Sequence, residues 1–178
     1  MKKSRFFKKF DELDKQLDRL LQLMEKQPVE RLLKSPSPGA WSPIQVLQHL
    51  ILSEAGSLKY LRKKISSGLQ DIPHATWITE ARIAILRFYM LLPLKVKAPR
   101  IIGEENFAEV TSFGEVAEEY KKTRQELRAF LENLPEEAFS LEIFRHPIAG
   151  KLSLGGLATF FILHFKRHEQ QIRRQGVV

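Results

Sequence analysis

Leu157-Ala158-Thr159-Phe160-Phe161-Ile162-Leu163-His164-Phe165-Lys166-Arg167-His168-Glu169-Gln170-Gln171 is the stretch from which the fold is read. Leu157, Phe161, His164, His168 and Gln171 recur at spacings of four, three, four and three, which defines one face of an α-helix. Lys166, Arg167 and Arg173 fall outside that face. Both histidines therefore continue an apolar stripe rather than the solvent side. Imidazoles four apart on a helix share a face and can grip one metal ion. The helix is expected to start at Ser153 and to run to about Gln175, before Gly176.

The same period recurs upstream. From Arg5 to Gln27, Phe6, Phe10, Leu13, Leu17, Leu20, Leu21 and Met24 form a second apolar stripe. After the proline-containing connection Pro28 to Pro43, Ser42-Pro43-Ile44-Gln45 opens another helix: Ser caps, Pro suits the first turn, and Gln completes a capping box. That helix should reach about Ser66, with Gly68 near its end. A further helix, Trp77 to Leu92, occupies the long connection before Pro93, Pro99 and an irregular segment through Val110. Ser112-Phe113-Gly114-Glu115 reads as a second capping box, opening a helix that runs to about Asn133. Strand-like alternation, internal repeats and low-complexity tracts are not evident. The pattern predicts an all-α fold: a four-helix bundle with an additional helix in the long crossover between the second and third main helices, which lets those two run parallel.

With 178 residues, 43% hydrophobic and 28% charged, one domain spanning 1–178 is expected. Cysteine is absent, which removes disulfides, thiolate ligands and any protein thiol nucleophile; a sulfur nucleophile would have to arrive with a substrate. Met1 to Phe10 is basic and amphipathic, unlike a signal peptide, so a cytoplasmic location is expected. The longest apolar stretch, Ile83 to Val96, contains Arg87, Pro93 and Lys95 and is too short to span a membrane, so it reads as a buried or half-buried helix. The net charge of +8 raises the question of nucleic acid, but the cations are scattered and alternate with core positions, which disfavours that role.

A third histidine, His49, lies on the helix opened by Ser42, following Val46 and preceding the small residues Ser53 and Gly56. It stands six residues beyond Pro43, about 9 Å along the axis, and His168 stands seven before Gln175, about 10 Å from that end. Were the two helices antiparallel, the three rings could meet near one end of the bundle. Neutral imidazoles suit zinc, nickel, copper and iron, so ligand type alone does not choose the metal. The competing reading is three hydrogen-bonded core histidines. His164 is followed by Phe165 rather than Glu, which disfavours a His-Glu-x-x-His zinc protease.

Other residues are weighed against plainer roles. Gln45 and Gln171, each one turn from a histidine, could orient a ligand or a bound water, against a capping role for Gln45 and surface packing for Gln171. Arg82 and Arg87 could receive a substrate carboxylate, against snorkelling to solvent, and Tyr60 and Tyr89 are further pocket candidates. Glu54, five after His49, should face elsewhere; His74 and His146 are expected not to bind metal; Trp41 and Trp77 read as packing anchors. The sequence names no catalytic acid or base.

Three segments, Trp41-Ser42-Pro43-Ile44-Gln45-Val46-Leu47-Gln48-His49-Leu50, His146-Pro147-Ile148-Ala149-Gly150-Lys151-Leu152-Ser153 and His164-Phe165-Lys166-Arg167-His168-Glu169-Gln170-Gln171-Ile172, in that order and separation resemble the DinB-like superfamily, YfiT-type proteins included, over about Phe10 to Arg174. The resemblance implies a DinB-like four-helix bundle in which His49, His164 and His168 bind a divalent metal, typically zinc or nickel. It also implies a candidate activity, since such families include thiol-dependent transferases that use bacillithiol, mycothiol or glutathione. The expectation is a metal-dependent enzyme that transfers a low-molecular-weight thiol to an electrophilic small molecule. The alternatives are a hydrolase using metal-activated water and a non-enzymatic metal-stabilised helical binding module, which could form a homodimer through an exposed apolar face.

Overall fold

A computed structural model describes residues 1–92, 99–110 and 112–177. Its main helices are α1 (Lys3–Glu25), α3 (Pro43–Ile65), α5 (Phe113–Glu132) and α6 (Leu154–Arg174), with a one-turn α2 (Val29–Leu33) in the first connection and α4 (Trp77–Leu91) in the crossover. The predicted apolar residues do the burying: Phe6, Phe10, Leu13, Leu17, Leu20, Leu21 and Met24 line the core face of α1, and Leu157, Phe161, His164 and His168 that of α6. The Ser42 cap forms as read, with Ser42 Oγ accepting from Gln45 N at 3.3 Å and Gln45 Oε1 accepting from Ser42 N at 2.9 Å. At Ser112 the hydroxyl accepts from Glu115 N. The structure gives no return bond from Glu115 there, so the second capping box is only half built.

Side-chain contacts fix the helix directions. Lys3 Nζ donates to Glu132 O and Leu134 O while Asp14 meets Arg124, so α1 and α5 are antiparallel. Gln48 reaches Ala108, Glu54 reaches Tyr120 and Arg124, and Arg62 lies over the Phe130 ring, so α3 and α5 run parallel. Trp41 O accepts from Gln175 Nε2 and the Tyr60 ring meets Phe144 beyond the other end, so α3 and α6 are antiparallel. The long crossover thus does what its length allowed.

Three features were not read from the sequence. Phe144–His146 and Gly150–Leu152 pair antiparallel as a hairpin, β1 and β2, too short for alternation to register. Gly150, at φ 75, closes its turn in a conformation suited to glycine. Arg100–Ile102 and Glu104–Asn106 form two successive 3₁₀ turns within the segment expected to be irregular. α4 sits on α6 where Gly156 has no side chain; a Cβ there would meet Ile83 at 3.2 Å and Leu152 at 2.9 Å. The apolar stretch read as Ile83 to Val96 is helical to Leu91, and its part from Pro93 onward lies outside the described residues, as do the cations Lys95 and Lys97. Trp77, expected to anchor packing, is instead 79% exposed: it stands on the outer face of α4, and Thr79 and Ile83 take the core side. No helix among the described residues is long and apolar enough to cross a membrane.

Candidate metal centre

The antiparallel α3 and α6 bring His49, His164 and His168 together, their candidate ligand nitrogens all within 4.8 Å of one another. His49 Nε2 lies 3.0 Å from His164 Nε2, and His168 Nε2 lies 3.1 Å from the same atom. All three imidazoles are buried. The opposite ring nitrogens have partners outside the cluster. His49 Nδ1–H donates to the Ile102 carbonyl at 2.8 Å, and His168 Nδ1–H donates to Gln171 Oε1 at 2.9 Å. Those bonds place the protons on Nδ1 and leave two bare Nε2 lone pairs aimed at a third Nε2. His164 has at most one proton to offer there, so the three nitrogens cannot satisfy one another.

A divalent cation fits this donor set. Tetrahedral zinc with ligands at about 2.0–2.1 Å holds neighbouring nitrogens about 3.3 Å apart, close to the separations seen. The protonation state fits as well, since metal ligation needs neutral imidazole. Burial lowers the pKa of His49, partly opposed by the Ile102 carbonyl. Burial, then the neighbouring His168 and His49, hold His164 well below the ordinary imidazole range. Burial and then His49 bring His168 down to about 3. All three are neutral at pH 7. Among the described residues no carboxylate joins the cluster.

Aromatic rings wall the site. The Trp41 ring lies 4.9 Å from that of His49 and meets Phe107 edge-on at 5.3 Å, while Phe160 stacks on His164 at 4.9 Å. Trp41 is therefore a packing anchor at the site itself. The 3₁₀ turn ending at Ile102 closes over His49 through its carbonyl, a contribution no side-chain motif could announce. On the helix face beyond His49, a Cβ at Gly56 would meet nothing within 4 Å, so that flank is open.

The remaining sequence candidates separate. Gln171 touches His168 directly. Gln45 is engaged in its capping box with Ser42 and does not reach the histidines. Tyr60 stands eleven residues past His49 on α3, about 16 Å along the axis, against Phe144. Arg82 pairs with Glu142 at 3.5 Å and lies beside the β2 backbone, near the start of α6 and away from its histidines. Arg87 is exposed on α4. Tyr89 packs half-buried against the core, its carbonyl bonded to Leu92 N. The structure therefore assembles the three histidines and Gln171, and leaves Gln45, Tyr60, Arg82 and Arg87 outside because helix ends and chain geometry place them elsewhere. His146 stands outside the three-histidine group: its Nδ1 accepts from Ile148 N and Ala149 N, both at 3.2 Å, and stabilises the hairpin turn. His74 bonds to Ser140 in a loop.

Glu54 does face elsewhere, and with more consequence than the sequence suggested. It is buried against α5, where Arg124 Nε donates to Oε2 at 2.7 Å and Tyr120 OH donates to Oε1 at 2.9 Å. Arg124 Nη1 also donates to Asp14 Oδ1 at 2.7 Å.

A model of the DinB superfamily matches residues 12–172. Comparison with curated proteins and with solved structures found no match to either. The matched span contains α3 and α5 whole, nearly all of α6, the part of α1 from residue 12 onward and all three histidines, so the chain belongs to the DinB superfamily.

Proposed function

We propose that this protein is a divalent-metal-dependent enzyme that transfers an external low-molecular-weight thiol to an electrophilic small molecule, with His49, His164 and His168 holding zinc or nickel. The observation that carries this reading is the convergence of three buried, neutral imidazoles with no carboxylate joining them among the described residues. Bound there, the ion would supply Lewis acidity that makes a weak thiol or water nucleophile reactive at neutral pH.

The chain's own residues favour a thiol over water. Activated water attacking a poor electrophile benefits from a general base, and the two carboxylates nearest the histidines in sequence are engaged elsewhere: Glu54 with Arg124 and Tyr120, Glu169 with Arg173. A thiol is far more acidic than water, so bound beside a cation it would release its proton to solvent and attack as thiolate without a protein base. With no cysteine in the chain, that thiol must come from a second substrate. Ile102 and Gln171 hold two imidazoles in the ligating tautomer, and Trp41 and Phe160 exclude water from their faces.

The test is metal content per chain by elemental mass spectrometry on untagged protein, with His168→Ala alongside, followed by turnover of an electrophile with and without added thiols. Near-stoichiometric metal, lost in a folded His168→Ala, with thiol-dependent product is expected. Product formed without any thiol would move the reading to hydrolysis. Tight metal retention without turnover would make the protein a metal-stabilised binding module, and no metal after reconstitution would return the histidines to core packing.

A further inference from the structure

Helix α4 is apolar on both sides. Thr79, Ile83, Leu86 and Met90 are buried beneath it, whereas Trp77, Ile85, Phe88 and Leu91 are 79%, 63%, 68% and 74% exposed on the other side. Ala81 and Ala84 are exposed between them. A helix that is apolar all round is normally buried all round. With aromatic side chains carrying about 150–250 Å² each, these four leave roughly 500–600 Å² of apolar surface, the upper end for a monomer's largest patch. That is most of the about 800 Å² that one partner contributes to a stable interface.

The order of residues along this face is self-complementary about Ala84. Trp77 lies seven residues before it and Leu91 seven after; Ala81 lies three before and Phe88 four after; Glu80 lies four before and Arg87 three after. At 100° per residue Trp77, Ala81, Ala84, Phe88 and Leu91 share the centre of the face, while Glu80 and Arg87 share one flank. Independently of the metal centre, we propose that this face binds the same face of a second copy, the two α4 helices lying antiparallel about a two-fold axis through Ala84. Each large side chain then meets a smaller or shorter one: Phe88 sits over Ala81 of the other copy, Trp77 against Leu91, and the alanine at the axis lets the helices approach.

Charge supports the same pairing. A two-fold axis across antiparallel helices keeps a given flank on the same side of both, so Glu80 of each copy faces Arg87 of the other, and the contact is made twice. A parallel pairing would place those flanks on opposite sides and lose both contacts. Lys9 of α1, within electrostatic range of Glu80 and Arg87, adds a further charge beside that rim. The face is also held in place. α4 rests on α6 at Gly156, and Arg167 Nη1 donates to the carbonyls of Met90 and Leu92 at its C-terminal end.

The experiment is sedimentation velocity of the full chain over a range of micromolar concentrations, with helicity checked for each variant. The wild type is expected to be a dimer, and Phe88→Glu, on the exposed face, to weaken association about tenfold or more. Glu80→Arg and Arg87→Glu should each weaken it, and the double variant should recover. Because the chain lacks cysteine, Ala84→Cys introduces a single thiol, which a short bis-maleimide should link across the axis, while Lys122→Cys on the exposed side of α5 should stay unlinked. A monomeric wild type, whether its stripe is covered by its own chain or left for a different protein, would overturn the proposal. So would a dimer indifferent to Phe88→Glu, or a double charge variant no stronger than the singles.

Discussion

Two buried polar clusters sit five residues apart on α3 and obey opposite rules. Toward α5, Glu54 meets Tyr120 and Arg124, and Arg124 goes on to Asp14 of α1. There every charge faces an opposite charge, and donors and acceptors match. Toward α6, His49 meets His164 and His168, where neutral rings point lone pairs at one another. The first cluster is complete from the protein's own atoms and joins three helices. The second leaves at least one ring nitrogen without a donor among the protein's own atoms, which a divalent cation would satisfy. Burial alone does not mark a functional site; mismatch among the buried groups does.

The largest effect expected from this contrast is on the complete cluster. Glu54→Ala leaves the Arg124 guanidinium buried without its main partner and should cost about 3–5 kcal/mol in urea unfolding. A cost below 1 kcal/mol would remove the distinction between the clusters. Next, the histidine cluster should respond to its ion as the other cannot. Free metal at a hundredfold excess over Kd should stabilise the wild type by about 2.7 kcal/mol, read as a shift in thermal midpoint that chelator reverses. His164→Ala should abolish that shift, whereas a modest core variant near Arg124 should keep it.

Gln171→Leu tests how far the imidazole partners matter. Losing the acceptor on His168 Nδ1 should weaken metal affinity ten- to a hundredfold with little change in helicity. The smallest effect, taken per pH unit, is a slope. Metal-free protein holds His168 at about 3 and His146 at about 4 through burial, below the ordinary value near 6.5, so the unfolded chain binds protons first. The stability these groups contribute is complete above about pH 6.5 and is lost as pH falls toward 4 and then 3, by at most about 1.4 kcal/mol per pH unit for each. Urea midpoints across that range check it, and His146→Gln should flatten the slope.

Much of this was legible in the sequence, for identifiable reasons. The 3.6-residue period and the Ser42 cap placed α1, α3 and α6, and the same period put His49, His164 and His168 on core faces whose distances from the helix ends matched. Other parts carry no local signature. The Ile102 carbonyl is backbone, so no residue type betrays its bond to His49. Glu54 and Arg124 are 70 positions apart, and each alone resembles any helix charge. Trp77 looks like an anchor by composition, yet its outer position depends on which face of α4 meets α6. Arg82 qualifies only where the crossover helix covers the histidines; in the folded chain it and Tyr60 lie toward the other end of the bundle.

The parallel run of α3 and α5 has a kinetic consequence. No short hairpin can bring these helices together, and Arg124 must find Glu54 and also Asp14, 70 and 110 positions back along the chain. The entropy of closing those loops is spent before the contacts repay it. An up-down bundle of similar length can zip from neighbour to neighbour; this one has to wait for its crossover. Its refolding in stopped-flow experiments should be the slower of the two, with the α3–α5 seam among the last contacts to acquire protection from hydrogen exchange.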